Sequence, residues 1–173
     1  MKPNQEILRR KNILIILLII LLIIIDQITK FLVLGTIQKS EEMIPGVLNF
    51  TIIENRGGAF GVGQDSTFSF IVTNIVVLGI IIRFLCTQNE RVDDKTKAFL
   101  SLILAGGFSN LIDRIFRGYV VDFIDIVAIS FPKFNFADVY IVLGWVCLAF
   151  TFAMFSWEEI QKKVENKKEK RIE

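Results

Sequence analysis

The 173-residue sequence contains no histidine, and this absence removes several kinds of chemistry at once. Catalytic Ser-His and Cys-His pairs need an imidazole base, and histidine-based zinc sites need imidazole ligands. The two cysteines, Cys86 and Cys147, both lie in apolar segments, where an isolated thiol packs as a small apolar side chain. The sequence therefore predicts no disulfide, redox pair, metal site or organic cofactor. Any catalysis must use carboxylates, lysines or hydroxyls.

The chain also lacks a strong excess of either charge. Its 20 basic and 18 acidic residues give a formal net charge of +2, so neither a nucleic acid nor an acidic partner is implied. Hydrophobic residues make up 53% of the sequence, and the mean hydropathy is +0.55. Soluble domains usually contain roughly 45–50% apolar residues. The composition predicts a small integral membrane protein.

Four apolar segments approach the ~20 residues that a helix needs to cross a bilayer. They run approximately over residues 13–34, 67–86, 98–112 and 139–157. The first follows a basic flank and contains only Ile and Leu from residue 13 to residue 25, but no small-residue cleavage site comes after it, so we interpret it as a retained helix. We predict an all-α membrane protein, with four transmembrane helices in a single domain covering residues 1–173.

Basic residues predict the orientation of these spans. Four precede the first span, four lie at the end of the second span or between it and the third, and six follow the fourth. Because cytoplasmic segments are enriched in Lys and Arg, both termini are predicted to be cytoplasmic, including the tail at residues 158–173. The lysine-rich tail is interpreted as a solvated orientation signal rather than a binding element. Residues 36–66 and 113–135 are then extracytoplasmic.

The two extracytoplasmic segments differ in pattern. Residues 36–66 combine a Pro45-Gly46 turn signal with alternating residues and several glycines, which predicts a small β-flap or cradle on the membrane. These glycines are Gly57, Gly58, Gly61 and Gly63. Residues 113–135 mix carboxylates with bulky apolar side chains, which suits a short interfacial helix or loop.

Five aspartates fall on the predicted external side, and an ionisable group at the membrane boundary is a candidate for function. They are Asp26, Asp113, Asp122, Asp125 and Asp138. Local structure accounts for some of them. Asp26 and Lys30 are spaced i,i+4 and can form an ion pair, and Asp138 can cap the fourth helix.

Caps and ion pairs explain one or two carboxylates, whereas five share this side of the membrane with three asparagines, Asn55, Asn110 and Asn135. This concentration predicts an active site. Two carboxylates a few ångströms apart do not readily both ionise, so one holds a proton while the other acts as a base toward water. Such chemistry is that of an aspartic peptidase. The spacing does not determine which two aspartates form the pair.

Three other functions compete with this interpretation. A four-span proton-coupled transporter would keep carboxylates near the bilayer midplane, on a path to both faces. A Ser-Lys peptidase could use Lys30 with Ser109, although Asp26 beside Lys30 would keep that lysine charged. A purely structural membrane subunit would tolerate changes at Asp122 and Asp138.

Five motifs occur in order along the membrane core, and together they resemble those of the bacterial lipoprotein signal peptidases, also called signal peptidase II. They are DQITK at 26–30, NRGGAF at 55–60, GGFSNLIDR at 106–114, VVDFID at 120–125 and FNFAD at 134–138. Two positions depart slightly from the family pattern. Gly58 stands where alanine is usual, and Ser109 stands where glycine is common.

The resemblance implies an aspartic endopeptidase of the bacterial cytoplasmic membrane with its active site at the outer face. Its substrates would be prolipoproteins carrying a diacylglyceryl-cysteine, cut just before that cysteine, and its other contacts would be membrane lipid. No nucleic acid is implied, and we expect a monomer. By motif, the catalytic dyad would be Asp122 and Asp138, so the resemblance outweighs the cap interpretation of Asp138.

The resemblance also implies supporting residues. Asp26 and Lys30 would shape the site, while Asp113 and Arg114 would hold the end of the third helix. Hydrogen bonds to substrate or dyad would come from Asn55, Asn110 and Asn135. Gly57 and the neighbouring glycines would give the flap the mobility of a lid.

Overall fold

Four long helices account for most of the chain. The structure, a computed structural model, describes residues 3–58, 66–129 and 131–169. The helices are α1 (Pro3–Thr36), α2 (Thr67–Gln88), α3 (Asp94–Phe116) and α4 (Phe136–Glu169). Each contains a window long and apolar enough to span a membrane. The prediction of a multi-pass helical membrane protein is confirmed, and each helix extends beyond its predicted apolar core.

Helix α3 lies at the centre, and each of the other helices packs against it. Its most apolar window is 61% buried, compared with 6% for α1 and α4 and 11% for α2. Because α3 contacts protein rather than lipid along most of its length, it can carry polar residues that a lipid-facing helix cannot. This position explains why α3 is the least hydrophobic of the four spans.

Small residues allow α3 and α4 to approach closely. A Cβ atom at Gly106 would lie 2.2 Å from the carbonyl oxygen of Ala137, and one at Gly144 would lie 2.6 Å from Cγ1 of Ile103. Neither glycine can therefore take a side chain unless the helices separate. Beside this contact, α2 and α3 enclose a core of buried aliphatic side chains: Leu78, Ile81, Leu100, Ile103, Leu104 and Leu111.

The start of α3 is fixed by its N-cap, Asp93. The Asp93 carboxylate accepts hydrogen bonds from the backbone N–H of Thr96 at 3.0 Å and from the Thr96 hydroxyl at 2.6 Å. Both hydrogen bonds lower the pKa of Asp93, and the one from the Thr96 hydroxyl has the larger effect. This cap explains why α3 begins at Asp94, four residues before the predicted apolar core.

A three-stranded antiparallel sheet stands at the opposite end of α3, with strand order β1-β2-β3. Strands β1 (Ser40–Ile44) and β2 (Leu48–Asn55) form a hairpin whose turn contains Gly46 at φ 68°, a conformation that favours glycine. Strand β3 (Val120–Ile126) joins from the segment between α3 and α4, and Asn55 pairs with Val120. The sheet therefore brings the two predicted extracytoplasmic segments together.

Aromatic and aliphatic side chains attach the sheet to the helices. Phe123 of β3 makes edge-to-face contacts with Phe50 of β2, at a centroid distance of 5.7 Å, and with Phe136 of α4, at 5.9 Å. Phe123 also belongs to a buried cluster with Val33 and Ile37 at the end of α1. This packing fixes β3, and hence Asp122, against the ends of α1 and α4.

Residues 113–135 differ from the predicted interfacial helix or loop. Residues 113–116 complete α3, and the centre of the segment is strand β3. Among the described residues after α3, the helical part of the segment is the single 3-10 turn Val127–Ile129. The segment is short and apolar, so its periodicity does not distinguish helix from strand, but its run of Val and Ile favours the strand. Of the predicted flap glycines, Gly57 and Gly58 follow β2, whereas Gly61 and Gly63 lie outside the described residues.

Candidate active site

A buried lysine organises one half of the polar cluster between the helix ends. The ammonium nitrogen of Lys30 lies 2.7 Å from Oδ2 of Asp26, 2.8 Å from Oδ2 of Asp113 and 3.0 Å from Oδ1 of Asn110. The side chains of Lys30, Asp26 and Asp113 are fully buried. All three ammonium N–H groups are therefore used, as a buried charge requires. The predicted i,i+4 pair of Asp26 and Lys30 is present, and Asp113 is a second carboxylate partner of Lys30.

Asp26 connects α1 to the other two helices of the cluster. Its Oδ1 accepts the backbone N–H of Ala137 at 2.9 Å, and its Oδ2 accepts the Ser109 hydroxyl at 2.6 Å. Ala137 lies in the first turn of α4, where backbone N–H groups have no partner within the helix and a negative charge is favourable. Asp26 thereby fixes the start of α4, one residue before Asp138.

Asp113 connects α3 to β3. Its Oδ2 accepts the backbone N–H of Val121 at 3.2 Å, next to Asp122. Its Oδ1 accepts hydrogen bonds from Gln27, at 3.0 Å, and from Arg117. The ion partners of Asp113 are thus Lys30 and Arg117, whereas the neighbouring Arg114 points elsewhere.

Arg114 and Asn55 hold the turn that follows β2. The guanidinium of Arg114 donates to the carbonyl oxygen of Gly57 at 3.0 Å and lies over the ring of Phe70, 5.4 Å from its centroid. The backbone N–H of Gly57 donates to Oδ1 of Asn55 at 3.0 Å. Because Oδ1 of Asn55 is engaged there, its Nδ2 faces the site and donates to Oδ2 of Asp122 at 2.8 Å.

Asp122 on β3 and Asp138 in the first turn of α4 share one hydrogen-bonding neighbour, Asn135. The side-chain Nδ2 of Asn135 donates to Oδ1 of Asp122 at 2.7 Å, and its backbone N–H donates to Oδ2 of Asp138 at 3.1 Å. Oδ1 of Asp138 accepts Nδ2 of Asn110 at 2.8 Å. All four carboxylate oxygens of Asp122 and Asp138 thus accept an N–H from an asparagine.

Asn135 and Asp138 also cap α4 reciprocally. The backbone N–H of Asp138 donates to Oδ1 of Asn135 at 3.0 Å, while the backbone N–H of Asn135 donates to the Asp138 carboxylate. This arrangement is a capping box, in which two unpaired backbone donors are satisfied together. The position of Asp138 in the helix cap and its place beside Asp122 are therefore compatible.

Burial and charge alter the acidity of Asp122. Desolvation by burial, followed by the negative charge of Asp138, raises the pKa of Asp122 to about 7, although hydrogen bonds from Asn55 and Asn135 act in the opposite direction. Near neutral pH a large share of Asp122 carboxyls therefore hold a proton. The pair can supply an acid and a base at the same time.

A cavity of about 280 Å³ lies beside Asp138, between α2, α3 and α4. Asp138, Asn110 and Arg114 line its polar end, and the rest of the lining is mainly apolar: Phe70, Val77, Leu78, Ile103, Ile141 and Trp145. A larger depression of about 510 Å³ lies at the opposite end of α2, lined by Leu8 and residues 86–91. Of these two, the smaller cavity is the one that Asp138 lines.

Four of the five predicted aspartates come together, and Asp125 does not. Its carboxylate lies 3.3 Å from the ammonium of Lys133. The sequence did not identify three members of the cluster as site residues in these roles: Gln27, Ser109 and Arg117. Gln27 lay within the DQITK motif, but its partners are more than 80 residues away in sequence.

The sequence suggested one catalytic role for Ser109, that of a nucleophile activated by Lys30. Its hydroxyl instead donates to Asp26, and the Lys30 ammonium is held by two carboxylates. Both contacts argue against a Ser-Lys pair. Within the described residues, no three His, Cys, Asp or Glu side chains are grouped so that they could hold a metal ion.

The family model of signal peptidase (SPase) II matches residues 18–154, a range that includes every residue of the cluster. The chain belongs to the signal peptidase II family. Among related members is the lipoprotein signal peptidase of Fusobacterium nucleatum, 34% identical over 134 residues, which cover 76% of this chain and 81% of that protein. The lipoprotein signal peptidase of Streptococcus pyogenes serotype M1 is 37% identical over 126 residues, covering 72% of this chain and 82% of that protein.

Two solved structures have a similar fold. A bacterial membrane enzyme determined by the in meso method at 2.3 Å resolution superposes with a TM-score of 0.75 and is 31% identical, over 82% of this chain and 88% of that chain. A second, determined at 1.9 Å, has a TM-score of 0.71 and is 32% identical, over 80% of this chain and 91% of that chain. The fold of this chain is therefore similar to that of these two bacterial membrane enzymes.

Proposed function

We propose that this protein is an aspartic endopeptidase that removes signal peptides from prolipoproteins. Its substrates carry a diacylglyceryl group on a cysteine, and cleavage falls just before that cysteine. The proposal is supported by membership of the signal peptidase II family and by relatives named lipoprotein signal peptidase. The finer assignments, which are the catalytic pair, its supporting residues and the membrane face, are argued below from the geometry.

One observation carries the assignment of the catalytic pair: Asn135 donates hydrogen bonds to both Asp122 and Asp138. One bond comes from its side-chain Nδ2 and the other from its backbone N–H, so the two carboxylates lie within the reach of one residue. Two carboxylates at such a separation repel each other when both are ionised, so they retain one proton between them into the neutral range. The pKa of Asp122, raised to about 7 by burial and then by Asp138, agrees with this expectation.

The pair can hydrolyse a peptide bond with an activated water molecule. The ionised aspartate accepts a proton from water as the water oxygen attacks the scissile carbonyl carbon. The protonated aspartate donates its proton to the carbonyl oxygen, which gives a neutral tetrahedral intermediate. When the C–N bond breaks, the leaving amine takes a proton from the carboxyl that received one from water. The proton on the former carbonyl oxygen returns to the aspartate that had donated it.

The asparagines position the pair for these transfers. Each carboxylate oxygen accepts an amide N–H from Asn55, Asn110 or Asn135 and keeps a further lone pair for a proton or a water molecule. Amide donors do not titrate, so they orient the carboxylates without supplying a competing acid. Lys30 orients the Asn110 amide: the Lys30 ammonium donates to Oδ1 of Asn110, so that Nδ2 of Asn110 donates to Asp138.

The cavity beside Asp138 supports a substrate with an apolar segment or lipid chain. Its lining from α2 and α4 is mainly apolar, and its polar end contains Asp138 and Arg114. A lipid-modified cysteine keeps the scissile bond near the membrane surface, where a carboxylate pair at the ends of the helices can meet it. We propose that this end faces the outside of a bacterial cytoplasmic membrane, with Gly57 and the turn after β2 acting as part of a lid.

The distribution of buried polar groups favours a peptidase over a proton-coupled transporter. The buried carboxylates, Asp26, Asp113 and Asp122, all belong to the cluster at one end of the helices. Toward the other end, the described part of the chain buries Lys97 and Ser101 but no carboxylate. A proton path to both membrane faces would need titratable groups along its length.

Cleavage by the purified protein tests the proposal directly. A diacylglyceryl-modified prolipoprotein and the same precursor without lipid are incubated with enzyme in detergent or lipid, and the products are identified by mass spectrometry. We expect cleavage of the modified precursor immediately before its lipidated cysteine, with or without a chelator, and little cleavage of the unmodified one. Absence of cleavage, or cleavage at another bond, would contradict the proposed function.

A further inference from the structure

Behind the carboxylate pair, five side chains form a closed ring of hydrogen bonds and ion pairs. Lys30 joins Asp26 to Asp113 on one side. On the other side, an amide and a hydroxyl connect the same two carboxylates. Nε2 of Gln27 donates to Oδ1 of Asp113 at 3.0 Å and to the Ser109 hydroxyl at 3.0 Å, and that hydroxyl donates to Oδ2 of Asp26 at 2.6 Å. The two buried carboxylates are therefore bridged twice.

Every member of this ring has its hydrogen-bonding direction determined by its neighbours. Oδ2 of Asp26 accepts from the Lys30 ammonium and from the Ser109 hydroxyl, and that hydroxyl in turn accepts from Gln27. The remaining oxygen of Gln27 accepts from Arg117 at 3.1 Å, which orients the Gln27 amide. Ser109 is fully buried and has no alternative partner in solvent.

Two sets of hydrogen bonds connect the ring to Asp138 or its neighbour. Asp26 accepts the N–H of Ala137, the residue before Asp138, and Lys30 donates to Oδ1 of Asn110, whose Nδ2 donates to Asp138. Without the Ser109 hydroxyl, Oδ2 of Asp26 would keep only Lys30 as a partner, and Asp26 could rotate away from Ala137. Both supports of Asp138 would then loosen together.

We propose that Ser109 is a positioning residue for the peptidase reaction: its hydroxyl, held by Gln27, fixes Asp26 and thereby the orientation of Asp138. This inference rests on the proposed function. Ser109 is not among the residues lining the cavity beside Asp138, and its hydroxyl bonds to Gln27 and Asp26 rather than to Asp122 or Asp138. Its loss should therefore affect the chemical step rather than the binding of substrate.

Ser109→Ala removes the hydroxyl and adds no atoms, and Ser101→Ala is its matched control. Ser101 is also a fully buried serine of α3, but its hydroxyl bonds only to the carbonyl oxygen of Lys97 in the preceding turn. We expect Ser109→Ala to lower kcat about tenfold, the effect of roughly 1.4 kcal/mol on the barrier, with KM within about twofold of wild type. Ser101→Ala should leave both constants within about twofold.

A second pair of variants tests whether Ser109 acts through the ring. Gln27→Leu should also lower kcat with little change in KM, and the Ser109→Ala/Gln27→Leu double variant should lose less than the product of the two single losses. Thermal unfolding is measured for each variant. If Ser109→Ala does not fold, Ser109→Gly provides the same loss of hydroxyl.

The outcomes separate this inference from the proposed function. If wild type does not cleave the lipid-modified precursor, the proposed function fails and this inference fails with it. If wild type is active, the inference alone is overturned by any of three results: unchanged kcat in folded Ser109→Ala, a rise in KM without a fall in kcat, or an equal loss in Ser101→Ala.

Discussion

Asp122 combines two properties that an isolated surface carboxylate lacks: it is 3% exposed, and it shares Asn135 with a second carboxylate. Burial and then the charge of Asp138 raise its pKa to about 7. An unfolded chain would return this pKa to the ordinary value near 3.9. The folded protein therefore binds a proton at Asp122 that the unfolded chain has released.

This difference predicts how pH changes the effect of Asp122→Asn on stability. Because the folded pKa is raised, the wild type is stabilised at this position at low pH and loses that stability as pH rises from about 4 through about 7. Asparagine does not titrate. The Tm of Asp122→Asn relative to wild type should therefore increase by about 3–8 °C between pH 5 and pH 8, measured by thermal unfolding.

Asp125→Asn is the matched control, because Asp125 lies on the same strand but pairs with Lys133. Its Tm relative to wild type should change little over the same pH range. A Tm difference for Asp122→Asn that stays constant from pH 5 to pH 8 would contradict the raised pKa.

At this scale the sequence identified most of the polar cluster but not its connections. The resemblance pointed to Asp122 and Asp138, and their catalytic roles stay a prediction. Gln27 and Arg117 were missed because their partners are distant in sequence, and nothing in the spacing of a chain indicates which amide will face which carboxylate. Asp125 was grouped with the others since it shares their segment, whereas the alternation of side chains along β3 turns it away.

At the scale of elements, Gly106 sets the distance between α3 and α4. The carbonyl oxygen of Ala137 lies 2.2 Å from the position of an added Cβ atom, and that oxygen belongs to the turn that carries Asp138. Substitution at Gly106 should therefore disturb stability and catalysis together.

Gly106→Ala should lower the Tm by about 4–10 °C, from an overpacking cost of about 1–3 kcal/mol, and should reduce cleavage strongly because Asp138 moves with α4. Gly79→Ala is the control. Gly79 lies inside α2 with nothing within 4 Å of an added Cβ, so its substitution should leave Tm and cleavage nearly unchanged. Equal effects of the two substitutions would show that the α3–α4 contact is not the cause.

The elements themselves were predictable to different degrees. The four helices followed from length and hydropathy, because a lipid-facing helix must be apolar nearly all round. The extent of α3 did not, since its ends are set by the Asp93 cap and by polar contacts at Asp113. Strand β3 was predicted as a helix or loop because its pairing with β2, about 70 residues earlier in sequence, leaves no local mark.

At the scale of the whole molecule, the uneven distribution of basic residues predicts how the bundle is inserted. The carboxylate cluster and the sheet lie at one end of α3, and the Lys11–Asp94 ion pair of 2.6 Å lies at the other. The end with Lys11 is predicted to be cytoplasmic. The sheet would then stand on the outer surface of the membrane.

Labelling of single cysteines checks this orientation. In a variant without Cys86 and Cys147, Glu42→Cys on exposed strand β1 should react with a membrane-impermeant thiol reagent added to intact cells. Glu159→Cys, exposed near the end of α4, should react only after the membrane is opened. The reverse pattern would contradict the orientation and place the cluster at the inner face.

The central claim is that Asp122 and Asp138 are the catalytic pair, and the most direct test is cleavage of a diacylglyceryl-modified prolipoprotein by Asp122→Asn, Asp138→Asn and Asp125→Asn beside wild type. Asparagine keeps the shape of each side chain and removes its titrating group. We predict a loss of at least about 100-fold in the first two variants, with each still folded, and near wild-type cleavage by the third. Retention of more than a tenth of wild-type activity in either Asp122→Asn or Asp138→Asn would contradict the assignment.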